Sequence, residues 1–146
     1  MNSKNKKSIL IVFFVIVTLQ SCLAQDHISY EAIREMKSSD IEWDEKTGKG
    51  KFFRAIVTCE EIYYTLYIEQ IRLDEEGTIK GIEKQLQVKE EVLEEVGFNL
   101  EGGKIEIIQW ITNNRLMIKL NDLKNYILVI RNNMYKIINM DEKNNF

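Results

Sequence analysis

The sequence predicts an α+β fold in which an antiparallel β-meander of about seven or eight strands is combined with two short helices. Three observations lead to this prediction. Apolar and polar residues alternate with a period of two over much of the centre and the C-terminal half. Short turns rich in Gly, Asn and Asp separate these segments. Residues 29–37 and 84–96 instead place their apolar residues at helical spacing.

The first half of the domain is predicted as one helix followed by four strands. Residues 29–37 form the helix, and Ser29 is suited to cap its N-terminus. Cys59 ends an alternating apolar row, so we expect a small buried hydrophobe, with a reactive thiol or intermolecular disulfide as the alternative. In the turn at 74–77, Gly77 can supply the left-handed residue of a hairpin. The four strands are predicted at 41–43, 51–60, 62–73 and 78–83.

The second half is predicted as a helix followed by a four-stranded meander. Helix 84–96 is followed by Gly97 at the position of a left-handed cap, and Phe98 can fold back onto the helix end. Asn-Asn pairs between strands suit tight hairpins, because Asn tolerates positive φ. Residues 127–130 are apolar in succession, which predicts a curved sheet or a small barrel. The four strands are predicted at 104–112, 115–120, 126–131 and 134–138.

The extreme N-terminus has the pattern of a secretory signal peptide. Three lysines within the first seven residues precede an 11-residue run, Ile9–Leu19, that is apolar except for Thr18. A bilayer-spanning helix needs about 20 such residues, so this run is too short to serve as an anchor. It also lacks the amphipathic period of a helix that packs on a core. We therefore expect residues 1–21 to be removed on export.

Residues Leu19-Gln20-Ser21-Cys22 resemble the lipobox of bacterial lipoproteins. The resemblance implies cleavage before Cys22, acylation of its thiol and its new amino group, and attachment to the membrane of a bacterial cell envelope. In such lipoproteins the absence of Asp directly after the cysteine, here Leu23, is associated with the outer membrane. The alternative is ordinary cleavage after Ala24, which would give a periplasmic or secreted protein.

The chain is predicted to hold one folded domain. Its 146 residues contain no proline, repeat or low-complexity linker that would mark a boundary. We assign residues 1–21 to the signal peptide and 22–28 to the lipidated N-terminus and tether. Residues 29–140 form the domain, and 141–146 form a frayed tail.

Composition and charge exclude several classes of partner. Hydrophobic residues make up 45% and charged residues 29%, as in soluble globular domains. The leader carries three lysines and no acid, so its removal changes the formal net charge from −3 to −6. A negative domain is a poor non-specific ligand for nucleic acid, which is bound through Lys and Arg. Membrane contact is therefore expected through the lipid on Cys22 alone, and nucleic acid is not expected as a partner.

No constellation in the sequence predicts an active site, a metal site or a cofactor. His27 is the only histidine of the sequence, so one chain cannot assemble a His-based triad or a multi-histidine metal site. Residues 47–51 (TGKGK) precede a strand rather than a helix, which indicates a hairpin turn and not a phosphate loop. Glu60 and Glu61 are neighbours and should point to opposite faces of a strand. We expect no catalytic residues.

Aligned aromatic residues are the only candidate binding groups. Tyr63 and Tyr67 should share one face of a strand, and Trp110 lies in the C-terminal meander. Such residues can stack on sugars or line a ligand pocket, although they are more often core or cross-strand pairs.

Three functions follow as expectations. The first is a non-enzymatic, lipid-anchored binding module with an envelope protein or glycan as its partner. The second is a carrier that holds a small apolar ligand in a curved sheet or barrel. The third is a glycan hydrolase, which would need two facing carboxylates about 5 to 10 Å apart.

Overall fold

The computed structural model describes residues 28–131 and 134–140, which form nine strands, one short α-helix and one 3-10 turn. The 3-10 turn covers Tyr30–Ala32, and helix α1 covers Glu90–Glu95. The strands are β1 Ile33–Ser38, β2 Glu42–Trp43, β3 Gly50–Glu60, β4 Tyr63–Leu73, β5 Ile79–Gln87, β6 Ile105–Thr112, β7 Arg115–Leu120, β8 Lys124–Arg131 and β9 Met134–Asn139. None of the helices in these residues is long and apolar enough to cross a membrane.

The strands form two antiparallel sheets that share one core. The first sheet has the order β1-β3-β4-β5, with β2 also paired to β3, and the second has the order β6-β7-β8-β9. Their facing surfaces interdigitate in the arrangement of a β-sandwich. Both sheets are open, so the β-rich meander of the prediction is confirmed, whereas the small barrel is wrong.

The predicted helix at 29–37 is wrong beyond its first turn. The chain leaves the 3-10 turn and pairs with β3 in antiparallel register, Met36 opposite Ile56 and Ser38 opposite Arg54. Its apolar residues were compatible with either period over so short a segment. Backbone hydrogen bonds to the edge of β3 outweigh the weak local helix preference.

The predicted helix at 84–96 is correct only in its second half. Strand β5 continues to Gln87, with Leu86 opposite Ile68, and α1 holds only six residues. Residues 84–87 alternate polar and apolar, which suits a strand as well as a helix. Pairing with β4 decides in favour of the strand.

Alternate side chains of β3 and β4 fill the space between the sheets. Ala55, Val57, Leu66 and Ile68 point from the first sheet into the main core, where they meet β6, β7 and β8. Cys59 is buried, as predicted.

The connection between the sheets closes one end of the sandwich. Leu93 of α1 and Phe98 are both buried in the main core. Gly97 has a φ of +96°, which confirms the predicted left-handed cap, and the Phe98 amide donates to the Leu93 carbonyl at 3.1 Å. We call α1 together with Phe98 the plug, and the end of the sandwich that it fills the plugged end. The Tyr126 hydroxyl donates to the Val96 carbonyl at 2.9 Å and holds the plug against β8.

Side chains of β1 join the edges of the two sheets along one side. Lys37 Nζ donates to the carbonyls of Ile107 and Ile108 at 3.1 and 3.0 Å. Glu35 Oε1 accepts from the Ile107 amide at 3.2 Å, and Trp110 Nε1 donates to the Lys37 carbonyl at 2.9 Å. We call these contacts the β1–β6 seam. They provide hydrogen-bond partners for backbone groups on the edge of β6 that is not paired with another strand.

Candidate functional site

A large cleft opens between the sheets at the end opposite α1. Its volume is about 740 Å³, within the range of about 300–1,000 Å³ typical of small-ligand pockets. One wall comes from β3, β4 and β5, and the other from the β6–β7 turn and the end of β8. The lining residues are Glu42, Lys51, Phe53, Ile68, Gln70, Lys84, Leu86, Thr112, Asn113, Asn114, Ile130 and Arg131.

Positive charge converges on this inter-sheet cleft although the protein as a whole is acidic. Lys51, Lys84 and Arg131 line the cleft together with Glu42, and a second carboxylate, Glu83, accepts a hydrogen bond from the lining residue Gln70 at 2.8 Å. Gln70 lies directly opposite Lys84 in the β4–β5 register. Like charges around one concave surface reinforce one another and raise the local concentration of anions.

Apolar side chains form the deeper wall of the cleft. Phe53 and Ile68 come from the first sheet, and Ile130 comes from the second. The Phe53 ring stacks on Trp110 with a centroid distance of 6.1 Å and an interplanar angle of 17°. Since the Trp110 indole is also hydrogen-bonded to the β1–β6 seam, this wall is held in place from behind.

The β6–β7 turn is fixed at the mouth of the cleft. The sequence predicts a tight Asn-Asn hairpin here, and the structure has one, with Thr112 paired to Arg115. Thr112 Oγ1 donates to Asn114 Oδ1 at 2.9 Å, and the Ile130 amide donates to the Asn114 carbonyl at 2.9 Å. The amide of Asn113 therefore lies on a braced turn at the mouth, where a ligand can reach it.

The three predicted binding aromatics do not form one site. Trp110 is half-buried behind the cleft wall, on the second sheet. Tyr63 and Tyr67 share one face of β4, as predicted, but this face points away from the second sheet. We call it the outer face of the first sheet.

Tyr63 and Tyr67 border a separate, shallow pocket of about 340 Å³ on the outer face. Tyr63 is 46% exposed and Tyr67 is half-buried. The opposite side of this pocket is Ile28, Ser29 and Ala32, where the described chain begins. The pocket thus lies between the start of the domain and the first sheet.

The described residues offer little acid, base or metal chemistry. No group of three or more His, Cys, Asp or Glu within 28–131 and 134–140 is arranged to hold a metal ion. The pKa of Asp74 is lowered, mainly because its carboxylate accepts a hydrogen bond from the backbone amide of Thr78; the amide of Glu76 and the charge of Lys80 add to the effect. This carboxylate stabilises a hairpin turn and does not line the cleft. Glu42 alone cannot supply the facing pair that a glycosidase requires.

Sequence reasoning missed the cationic residues of the cleft. Lys51 follows a turn, Lys84 was assigned to a helix, and Arg131 lies eighty residues from Lys51 along the chain. Only the sandwich topology brings them to one end. The alternation of β3, in which Lys51, Phe53 and Ala55 share a face, was the available signal that Lys51 points between the sheets. Cys22 and His27 lie outside the described residues.

Comparison with models of protein families gives no match, and comparisons with curated proteins and with solved structures give no significant match.

Proposed function

We propose that this protein is a lipid-anchored component of a bacterial cell envelope and acts as a non-enzymatic binding module. Its ligand is an anionic molecule with carboxylate or phosphate groups, taken up in the inter-sheet cleft. The observation that carries the proposal is the convergence of Lys51, Lys84 and Arg131 on the inter-sheet cleft of an acidic protein.

The composition of the cleft supports a binding role. Cations can attract an anion, while Asn113 and Asn114 add neutral hydrogen-bonding groups that orient it. Phe53 and Leu86 supply apolar surface for the non-polar faces of a sugar ring or a peptide side chain. This combination suits an acidic glycan segment or an acidic stretch of an envelope protein.

The leader and the lipobox residues support the anchor. Replacing Cys22 with Ser removes the acylated thiol, so we expect the protein to leave the membrane fraction and to lose its acyl mass. Fractionation and intact mass spectrometry measure both effects. Cys59→Ser is the matched control, since that buried thiol should not affect fractionation. Unchanged fractionation of Cys22→Ser together with an unacylated wild-type chain would contradict the anchor.

The cleft is tested with two anionic probes, polygalacturonate for carboxylates and inorganic polyphosphate for phosphates. We expect binding that weakens with salt, and a loss of affinity of about tenfold, or about 1.4 kcal/mol, for the double variant Lys51→Gln/Lys84→Gln. Titration calorimetry or fluorescence polarisation measures the affinity.

The double variant Lys104→Gln/Lys124→Gln is the control for the cleft experiment. Both lysines are exposed at the ends of β6 and β8 that are remote from the lining residues Thr112 and Arg131, and the change removes the same two charges. Equal weakening by the control and by the cleft variant would indicate a general charge effect. That result, or no binding of either probe to the wild type, would contradict the proposal.

A further inference from the structure

The shallow pocket on the outer face of the first sheet has a floor of two threonines. Thr58 of β3 and Thr65 of β4 lie directly opposite each other in the strand register, and both line the pocket. Tyr63 and Tyr67 stand on either side of Thr65 on the same face of β4, separated by about 13 Å of extended strand. We call this space of about 340 Å³ the tyrosine pocket.

Thr58 is a buried polar side chain whose hydroxyl has no partner in the fold. The residue is 6% exposed and lines the tyrosine pocket. Its hydroxyl makes no hydrogen bond to any residue that the structure describes. Buried hydroxyls in proteins nearly always have a hydrogen-bond partner. Because Thr58 is on the face away from the main core, a group held in the pocket can supply this partner.

The tyrosine pocket also carries negative charge without a matching cation. Glu60 lies opposite Tyr63 at the end of β3, and Glu61 follows in the turn. Among the described residues that line the pocket there is no lysine or arginine, and neither carboxylate forms an ion pair with a described residue. Two carboxylates beside a partly enclosed space raise the local concentration of cations.

The remaining groups of the pocket suit an organic cation that donates hydrogen bonds. An ammonium group has three donors and no acceptor, and hydroxyl and carboxylate oxygens accept from it. The Ser29 hydroxyl, which does not cap the 3-10 turn, is a further acceptor on the side of β1. The faces of tyrosine rings attract ammonium groups and also pack against the alkyl chain that carries them.

We propose that the tyrosine pocket binds a primary ammonium group on an alkyl chain. The ammonium group lies over Thr58 and Thr65, donates to their hydroxyls and is neutralised by Glu60. Such a group belongs either to a free alkyl diamine or to a lysine side chain of another protein. The site takes a ligand of opposite charge to that of the inter-sheet cleft, and it depends neither on the cleft nor on the lipid on Cys22.

The test is a titration of the full, processed protein with three probes, followed by the NMR shifts of the Thr58 and Thr65 amides. Diaminopentane carries the free amine, the peptide acetyl-Gly-Lys-Gly-amide carries it on a lysine side chain, and pentanediol has the length of the diamine without its charge. We expect saturable shifts with an amine and none with the diol. Tighter binding of the peptide assigns the site to a lysine of a partner, and tighter binding of diaminopentane assigns it to a free amine.

Two variants connect the shifts to the pocket. Thr58→Val keeps the shape of the side chain and removes the hydroxyl, and Glu60→Gln removes the charge. Each should weaken amine binding about fivefold, the effect of one hydrogen bond. Thr78→Val and Glu45→Gln make the same changes in turns at the other end of the first sheet and should leave the affinity unchanged. Circular dichroism confirms folding, and the exposed Glu60 keeps the test valid if Thr58→Val unfolds.

Three results would overturn the proposal. Equal binding of pentanediol and diaminopentane would mean that the pocket recognises hydroxyl groups, as on a neutral sugar, and not an ammonium group. Equal affinities of the pocket variants and their controls would place the amine elsewhere on the acidic surface. The third is a lack of shifts at Thr58 and Thr65 with both amines. The cleft stays a separate question, because Thr58→Val should bind the anionic probes as the wild type does.

Discussion

Glu69 is 1% exposed in the middle of the outer face and is held by two neighbouring strands. Arg54 donates to Glu69 Oε1 from Nε at 3.0 Å and also from its terminal nitrogen. Gln85 Nε2 donates to Glu69 Oε2 at 3.1 Å, so both carboxylate oxygens are satisfied. A carboxylate so deeply buried is tolerated because its charge is paired and its oxygens are hydrogen-bonded.

Removing one member of this pair should be more harmful than removing both. Glu69→Leu leaves the Arg54 guanidinium buried without its carboxylate, and we expect a loss of about 3–5 kcal/mol in the free energy of unfolding. The double variant Arg54→Met/Glu69→Leu should recover a large part of that loss, since it leaves no buried charge. Urea denaturation measures all three proteins. A double variant as unstable as Glu69→Leu would argue that packing, not charge, dominates here.

At the residue scale, the sequence predicts which side of a strand a residue occupies, but not whether that side is buried. The shared face of Tyr63 and Tyr67 follows from alternation alone, and the register confirms it. The burial of Arg54 and Glu69 does not follow, because charged residues at alternating positions ordinarily mark a solvated face. Two strands in register were needed to bring them together.

Among the elements, the β4–β5 hairpin shows how one side chain organises a turn. Asp74 Oδ1 accepts from the amides of Glu76 and Thr78 at 2.9 and 2.8 Å, and Gly77 follows with a φ of +83°. The carboxylate replaces the backbone partners that the turn lacks. Since these bonds favour the ionised form, the pKa of Asp74 lies below its usual value.

The turn should therefore lose stability in acid. The pKa of Asp74 is lower in the folded state than in the unfolded state. The contribution of its carboxylate to the free energy of unfolding is therefore complete above a pH of about 4, the ordinary aspartate pKa. This contribution disappears as the pH falls through the lower pKa of the folded state. Asp74→Ala should destabilise the protein by about 1 kcal/mol at pH 7 and by less at pH 2.5. Thermal unfolding at both pH values tests this, with Glu75→Ala, an exposed neighbour, as the control. An equal loss at the two pH values would contradict the role of the charge.

At this element scale, the strands and hairpins were more predictable than the helices. The turn at Gly77 and the Asn113-Asn114 hairpin have local chemistry that specifies them, and both are present. The helix predictions at 29–37 and 84–96 depended on apolar spacing in short segments, where helical and strand periods overlap. Pairing with β3 and β4, which no local pattern reports, determines the outcome.

For the whole molecule, the β1–β6 seam joins the two sheets along one side, while on the other side the amide of Lys89, just after β5, donates to the Tyr135 hydroxyl of β9 at 2.7 Å. Lys37 and Glu35 contact the same stretch of β6 with opposite polarity, one donating to carbonyls and the other accepting from an amide. They bridge a separation of about seventy residues in sequence. The seam also fixes Trp110, and through it the Phe53 wall of the cleft.

Loosening the seam should affect both stability and the cleft. Lys37→Met keeps the apolar stem but removes two hydrogen bonds, and we expect a loss of about 1–2 kcal/mol in the free energy of unfolding. Hydrogen exchange should show faster amides in β6 near Ile107. Lys46→Met, an exposed lysine of the β2–β3 turn, is the control. Unchanged exchange in β6 would mean that the Lys37 contacts do not help to hold the two sheets together.

The sequence alone does not predict the sandwich or its cleft. Alternation predicts sheets with one or two apolar faces, but several arrangements bury the same residues. The path of residues 88–104 determines which end of the sandwich is closed. Leu93 of α1 and the following Phe98 fill the space between the sheets at that end. The cationic cleft is what remains at the opposite end.

The plug of α1 has a consequence for orientation. The described chain begins beside Tyr63, at the start of β4. Farther along β4, the Leu66 carbonyl accepts a hydrogen bond from the Val88 amide, just before α1, so the start of β4 lies near the plugged end. Gln70 lies at the open end of the sandwich. Tyr63 and Gln70 are separated by about 24 Å of extended strand. The described chain therefore starts at the plugged end, and the mouth of the cleft lies at the end farther from Ile28. If Cys22 carries the proposed lipid, the cleft would be open to molecules that approach from the side away from Ile28.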